Sequence, residues 1–522
     1  MGIRMRRVSG LVIALTVLAA LSAFHPYPYD NVVTRWALAR QLVANGTLKI
    51  DPYAGLTNDR AASGGHLYCD KAVWTSIIAA AGYFPLHALG IADSPGALPV
   101  GGAGRYLVER VVAGGSLLLL LLMLRGLLKR ERFPVILPVA AVGFGSILLP
   151  YATMLYGHVP AALLIFVSYA SQRRKRWLAA DITGALASAF EFPLLVLYGV
   201  LLAYRRRSDW TPWRAFRVPL ILLCAFLPQL LHNWIAFGSP LTMGYSLETA
   251  EVFSGMGEGL FGFTLPSPRS LYLLTLSPER GLLFYMPWIA LGMAGFFSGK
   301  TKLVPVLRSN PLPACIVLYL LLFSSYYMPT GGWAFGPRHL IPVVPFAAVG
   351  LARFMRGSPE RAFVAWLLVL PAILQAMLGT LGEPHLPVHP AERPIPLPQV
   401  SIALKMMLDG HHATWLLGTA GVLAIVLGAM LLWFRSGYGA VRVTWWGVAA
   451  LLFWAALGLL SPSSGWEGKL GYYRGVLAQH RREYRLAAGY YREALEDPTA
   501  PAEHIEGRMR YCEERDTDWR EP

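Results

Sequence analysis

Charge is what this sequence has least of: only 15% of its 522 residues are Asp, Glu, Lys or Arg, against about 25% in a water-soluble domain. That scarcity argues against a soluble enzyme of this length. Cysteine is nearly absent too, and Cys69, Cys224, Cys315 and Cys512 lack any Cys-x-x-Cys spacing. Neither a zinc ribbon nor a disulfide framework is indicated. No Gly-x-Gly-x-x-Gly stands between a strand and a helix, so a nucleotide-binding domain is missing. Gly295-Phe-Phe-Ser-Gly-Lys-Thr301 is one residue short of a phosphate-binding loop and ends an apolar run.

Apolar residues fill the space that charge leaves, at 55% of the chain. A spanning helix needs roughly 20 of them. The 46 Lys+Arg and 30 Asp+Glu leave +16, but the basic residues fall in short clusters between apolar runs. That is the positive-inside pattern of a multi-pass inner-membrane protein, not a nucleic-acid footprint. Arg4, Arg6 and Arg7 precede a first run from Val8 to Phe24, read as an uncleaved span that leaves His25 onward outside.

The next firm span is Tyr106–Leu124, closed by Arg125, Lys129, Arg130 and Arg132. Ala72–Gly90 between them is broken by Gly82, Pro85 and His87 and reads as interfacial, so residues 25–104 form one outer loop with amphipathic helices. Passes then follow at Phe133–Pro150, His158–Ser171, Val218–Phe237, Gly281–Phe297, Pro311–Met328, Leu340–Met355, Phe363–Leu381, Ala413–Phe434 and Val443–Leu460. Arg176 to Arg205 is basic at both ends and too short for two full crossings, so it reads as a short helical pair with Glu191-Phe192-Pro193 at its apex. The expected fold class is an all-α polytopic membrane protein with a bundle of about 13 helices over residues 1–460. Residues 461–522 form a charged, soluble helical tail, where Gly475, Ala487, Tyr491, Ala494 and Pro498 approximate one tetratricopeptide-like unit.

Polar residues gather on the outer side. Asp30 and Asn31 follow the first span; then come Val32–Ala44 with Arg35 and Arg40, the run Gly46-Thr-Leu-Lys-Ile-Asp51, Thr57-Asn-Asp59-Arg60, and Gly65-His66-Leu-Tyr-Cys-Asp70-Lys71. An acid at the mouth of a span can be tuned as a general base; its plainer role is a helix cap. Lys71 and Arg338 could hold phosphate oxygens or simply anchor the chain at the interface. His158 and Glu191 lie at membrane depth, where ionisable groups are functional candidates. No His-x-x-His spacing supports a metal site from His66, His158 and Glu191, and Glu383-Pro-His385-Leu-Pro-Val-His389 reads as a proline-rich loop. Glu248, Glu251 and Glu258 sit in the outer loop after Phe237 without an assigned role.

The order of Asp30, Gly46–Asp51 and Gly65–Lys71 resembles the first outer loop of GT-C membrane glycosyltransferases, in the group of protein O-mannosyltransferases and lipid A aminoarabinose transferases. Ser277-Pro-Glu-Arg-Gly-Leu-Leu-Phe-Tyr-Met-Pro287 and Gly331-Gly-Trp-Ala-Phe-Gly-Pro-Arg338 resemble segments of bacterial members. Asn31 stands where relatives often carry a second acid, and Ala72-Val73 replace the usual prolines, so the resemblance fixes neither metal nor substrate. It implies an inverting transferase moving a sugar from a polyprenyl-phosphate donor at the outer face of the plasma membrane. Asp30 would be catalytic, and Lys71 and Arg338 would bind the donor phosphate. Asp70, His66, His158 and Glu191 are candidate lining residues. The acceptor (protein, lipid or polysaccharide) and the use of a divalent metal stay open. The rival reading is a transporter or lipid flippase without chemistry, which predicts ionisable groups near the bilayer midplane.

Overall fold

The computed structural model describes residues 2–23, 30–54, 57, 59–90, 102–248, 255–256, 259–297, 303–332 and 334–381. In the tail it describes 471, 474–475, 478–479, 483–496 and 502–517. The expected passes Ala413–Phe434 and Val443–Leu460, the 383–389 loop, Glu251 and Glu258 lie outside the described residues.

The chain opens with α1 (Gly2–Ser22) and α2 (Asp30–Ala44), then a hairpin of β1 (Ala61–Ser63) and β2 (His66–Tyr68), and α3 (Trp74–Ala88). The long α4 spans Ala103–Arg130 and contains a π-helical turn at Arg110–Gly114. The bundle continues with α5 (Ile136–Gly143), α6 (Leu148–Tyr151), α7 (His158–Gln172), α8 (Trp177–Phe190), α9 (Leu194–Ala203) and α10 (Pro212–Phe237). After an outer segment come α11 (Pro268–Thr275), α12 (Leu282–Tyr285), α13 (Trp288–Phe297), α14 (Leu303–Ser309) and α15 (Pro311–Ser324). Next are α16 (Val344–Phe354) and α17 (Pro359–Leu381), and in the tail α18 (Tyr484–Leu495) and α19 (Ala502–Thr517).

Three helices among the described residues are long and apolar enough to cross a bilayer: Ala103–Arg130, Pro212–Phe237 and Pro359–Thr380. Shorter apolar helices, including α8, α9, α13 and α15, fill the spaces between them. α10 shows its membrane register most clearly. Thr211 caps it by accepting from the Arg214 amide (3.2 Å), and Gly238 ends it in the left-handed region at φ 76°. Trp213 and Trp234 are 62% and 60% exposed. They stand about 31 Å apart along the axis at 1.5 Å per residue, close to the ~30 Å hydrocarbon thickness that interfacial aromatics bracket.

The short pair α8–α9 turns at Glu191-Phe192-Pro193 as expected. Other segments differ from the sequence reading. Phe133–Pro150 is not one span but α5 and α6 with a break between them, and Gly281–Phe297 divides at Pro287 into α12 and α13. Proline lacks the N–H that would continue a helix. α2 is not a surface-lying amphipathic helix: every residue from Val32 to Ala39 is buried. Its one charge in that stretch, Arg35, contacts Asn31 and lies 3.8 Å from Glu191.

Basic clusters collect at one end of the bundle. Arg173 meets Glu131 at 3.1 Å, joining the ends of α4 and α7. Arg205 after α9 lies 5.3 Å from the Trp177 ring opening α8, and Arg353 ending α16 lies 5.5 Å from Phe296 near the end of α13. In the tail, a Cβ on Gly475 would fall 2.6 Å from the Tyr491 ring, a close contact that a repeat unit and an ordinary helical hairpin would share.

α13 and α16 cross backbone to backbone. A Cβ on Gly295 would sit 2.0 Å from the Gly350 carbonyl, and one on Gly292 2.4 Å from the Ala347 carbonyl. Helices in lipid rely on such close approach because apolar burial between them gains little. Gly295, which opened the loop-like run, is therefore a packing residue. Gly295→Ala is expected to cost about 1–3 kcal/mol by overpacking, measured as a lowered melting temperature in detergent. An unchanged melting temperature would contradict the crossing.

Candidate functional site

The hairpin carries the first part of the site. Gly64 and Gly65, at φ 57° and 79°, supply the two positive-φ positions of a tight turn. Asp51 ties it down: its Oδ1 accepts from the Leu67 amide at 2.6 Å, and its Oδ2 lies 2.8 Å from His66 Nδ1. His66 Nε2 is 2.9 Å from Lys49 Nζ. His66 is thus engaged in bracing the hairpin.

Directly after β2, Asp70 and Lys71 are buried. Lys71 Nζ contacts Asp70 Oδ2 and lies 3.4 Å from Asp59 Oδ2 and 3.7 Å from Glu248 Oε1. The Tyr245 ring is 5.5 Å from the ammonium. The 239–248 segment reaches this point because Asn233 donates to the Pro240 carbonyl at 3.2 Å and Gly244 admits a close backbone approach. A Cβ there would fall 2.7 Å from the Asp70 Cα. An antiparallel bridge between Ala61 and Glu248 completes the join. Gln229 holds the same end of α10, accepting from the Val73 amide at 3.0 Å and donating to Asn233 at 2.8 Å.

Burial alone would discharge Lys71, but Asp59, Asp70 and Glu248 hold its ammonium well above the ordinary lysine range. The three acids divide unequally. Burial and the neighbouring Asp70 push Glu248 up to about 11, so at neutral pH it carries a proton to give Asp70. Asp70 stays ionised despite burial because Lys71 and that hydrogen bond favour its charge. Burial also raises Asp59, to about 6; Asp70 and Asp30 add to the rise, while Lys71 and Arg338 oppose it.

Asp30 opens α2 beside this cluster. Thr57 links them, its hydroxyl donating to the Asp30 carbonyl at 3.0 Å and accepting from the Asp59 amide at 3.1 Å. One turn on, Arg35 donates to the Asn31 carbonyl at 3.2 Å and contacts the Asn31 side chain. Its other edge lies 3.8 Å from Glu191, whose Oε1 is 3.2 Å from His158 Nδ1. Gly157 leaves room for this carboxylate, since a Cβ there would approach it to 2.5 Å.

Arg338 joins from the far side. Its guanidinium carbon is 5.5 Å from the centre of the Tyr156 ring, with Arg35 at 5.9 Å from the same ring. Two guanidiniums sharing one aromatic neighbour make a strongly cationic wall. The turn that carries Arg338 is held by the buried Arg280, which donates to the Thr330 and Gly332 carbonyls, both at 2.9 Å. The Tyr151 hydroxyl accepts from the Phe335 amide at 3.1 Å. Gly331, at φ 74°, leaves the space that Arg338 Nε occupies 2.8 Å from where its Cβ would stand.

The structure therefore brings Lys71, Asp70, Asp30 and Arg338 into one electrostatic neighbourhood, with His158 and Glu191 adjoining. His66 instead serves the hairpin, so the trio His66, His158 and Glu191 does not converge as a ligand set. The sequence reading missed Tyr156 and Tyr245, named Asp59, Arg35 and Arg280 without giving them a role, and left Glu248 unassigned. Carboxylate oxygens of Asp59, Asp70 and Glu248 lie within 4.8 Å of one another, a spacing that suits a divalent cation. The Lys71 ammonium already lies within 4 Å of all three, so a metal would have to displace it.

No protein-family profile matches the chain, and no curated protein matches it in sequence. Among solved structures it is similar to ArnT from Cupriavidus metallidurans bound to undecaprenyl phosphate, at 16% identity and TM-score 0.45. It is also similar to the apo state of that protein, at 15% and 0.48; each match covers 90% of this chain and 79% of the other.

Glu248→Gln retains a neutral donor toward Asp70 and should leave the melting temperature near wild type. Glu248→Ala strips that donor from a buried carboxylate and should cost about 1–3 kcal/mol. Equal melting temperatures for the two variants would exclude the shared proton.

Proposed function

We propose that this chain is an inverting GT-C-type glycosyltransferase, moving a sugar from a polyprenyl-phosphate donor to an acceptor hydroxyl at the outer face of the membrane. The observation that carries the reading is the caged Lys71 ammonium, with Arg338 acting on the same Asp59 and Asp30 linked to the cage through Thr57. Such a site holds cations for a departing phosphate and a carboxylate for an incoming hydroxyl. Its position opposite the basic end of the bundle supports an outer location, because Lys and Arg mark the cytoplasmic side.

In the proposed reaction Asp30 takes the acceptor proton as the acceptor oxygen bonds to the anomeric carbon. The bond from that carbon to the phosphate oxygen breaks on the opposite face, and a single displacement inverts the centre. Lys71 and Arg338 take up the negative charge that grows on the phosphate, where fixed charges in a dry site act most strongly. Arg35 stands beside Arg338 and balances Glu191. Asp59 keeps Lys71 in place as a neighbour at 3.4 Å.

Purified protein incubated with labelled polyprenyl-phosphate sugars should release the lipid phosphate. Asp30→Asn should lower that rate by about 10²–10⁴-fold, the usual worth of a positioned base, with expression and lipid binding intact. Full activity in the variant would reject Asp30 as the base. The pH profile gives a second test. Below about 6 Asp59 takes a proton and Lys71 loses a counter-charge, so the rate should fall on that acid limb. Asp59→Asn should lower the rate and remove the limb; a limb unchanged in that variant would assign it elsewhere.

A further inference from the structure

The end of the bundle away from the carboxylate cage holds a second charged cluster that the proposed transfer does not use. Asp181 of α8 is fully buried and receives two guanidiniums: Arg205 contacts its Oδ1, and Arg217 donates to its Oδ2 at 2.5 Å. The Tyr198 hydroxyl also reaches Oδ1, at 3.3 Å. The Arg205 guanidinium carbon stands 5.3 Å from the rings of both Trp177 and Trp210, and Arg214 stands 5.5 Å from Trp177. Arg214 also donates to the Asp209 carbonyl. Arg206 beside them is exposed. Arg205, Arg206, Arg214 and Arg217 against Asp181 and Asp209 leave an excess of +2, before Arg207 of the same run is counted.

Among the described residues that excess is not quenched. The Arg205 side chain is 1% exposed, yet its Nε and Nη1 have no hydrogen-bond partner among the described residues, and neither does Arg217 Nε. A buried guanidinium edge without an acceptor is costly, and a phosphate oxygen is the acceptor that matches its fork. The neighbouring surface tells which kind of phosphate. Trp213 and Phe216 are exposed at this end of α10, at the level expected of the membrane interface, and Leu220, Leu223 and Leu227 continue the exposed stripe toward the bilayer centre. Headgroup-level charge above an apolar stripe fits a molecule with a phosphate at one end and acyl chains at the other.

We propose that Arg205, Arg206, Arg214 and Arg217 form a site for the headgroup of an anionic phospholipid, with its acyl chains along the exposed face of α10. The lipid would offset part of the excess charge around the Asp181 cluster and fix the register of α8, α9 and α10. This assignment is independent of the sugar-transfer reading.

Native mass spectrometry of the full chain in detergent tests it, with phosphatidylglycerol, phosphatidylcholine and inorganic phosphate as probes. Wild type should retain phosphatidylglycerol in preference to phosphatidylcholine, and inorganic phosphate at equal concentration should not displace it. The double variant Arg206→Ala/Arg214→Ala should bind the anionic lipid about thirtyfold less tightly, from roughly five- to sixfold per arginine near a charged surface. A control double variant, Arg356→Ala/Arg361→Ala, removes two exposed arginines outside the cluster and should bind as wild type does. If the double variant fails to fold, the single exposed change Arg206→Glu should still weaken binding in the same direction. Equal retention of the two lipids, or an equal loss in the control, would overturn the site. Displacement by inorganic phosphate would overturn its assignment to a lipid.

Discussion

A buried ammonium needs counter-charge and oxygen acceptors, and Lys71 finds them on three separate segments. Asp59 precedes the hairpin, Asp70 follows it, and Glu248 arrives from the segment beyond α10. Removing Asp59 or Asp70 would leave the ammonium under-compensated, while the neutral Glu248 brings an acceptor from the third segment. The surrounding polar contacts serve the same end. Gln229 and Asn233 secure the two segments to the tip of α10, and Asp51 with His66 secures the hairpin. The unequal protonation of Glu248 and Asp70 lets a crowded cluster of acids persist beside one cation.

The same logic operates at larger scale. Arg338 is presented by a turn whose carbonyls are held by Arg280 and whose glycine admits the guanidinium. Two motifs far apart in sequence, Ser277–Pro287 and Gly331–Arg338, thus become one structural unit. At the opposite end, Asp181 plays the converse role, one buried carboxylate drawing two arginines together. The bundle is polar in both senses: a carboxylate-rich end that holds cations and an arginine-rich end suited to anions. The aromatic residues of α10 mark the distance between them.

Much of this was legible where the signal was local. Apolar runs and basic punctuation gave the long helices and the α8–α9 pair, because length and composition decide what can span a bilayer. Asp70 and Lys71 were visible because they close one short run, Gly65–Lys71, whose order resembles a GT-C outer loop. Glu248 could not be placed beside them, since only the folded path of α10 brings it there. Arg35 looked like a surface charge on an amphipathic helix; its burial follows from apolar neighbours on all sides of α2, a property of packing. His66 looked like a site-lining residue in the same run as Lys71, and its contact with Asp51 could not be read from the sequence. The breaks at Phe144–Ile147 and Pro287 were hidden inside apolar runs long enough to suggest single spans.

The central claim is that the Lys71 charge holds the 239–248 segment over the hairpin. Hydrogen–deuterium exchange on wild type and Lys71→Met measures this directly, because the variant keeps the bulk and loses only the charge. Faster exchange confined to residues 59–71 and 239–248, with α4 and α17 unchanged, is the predicted result. Unchanged exchange in those two segments would contradict it.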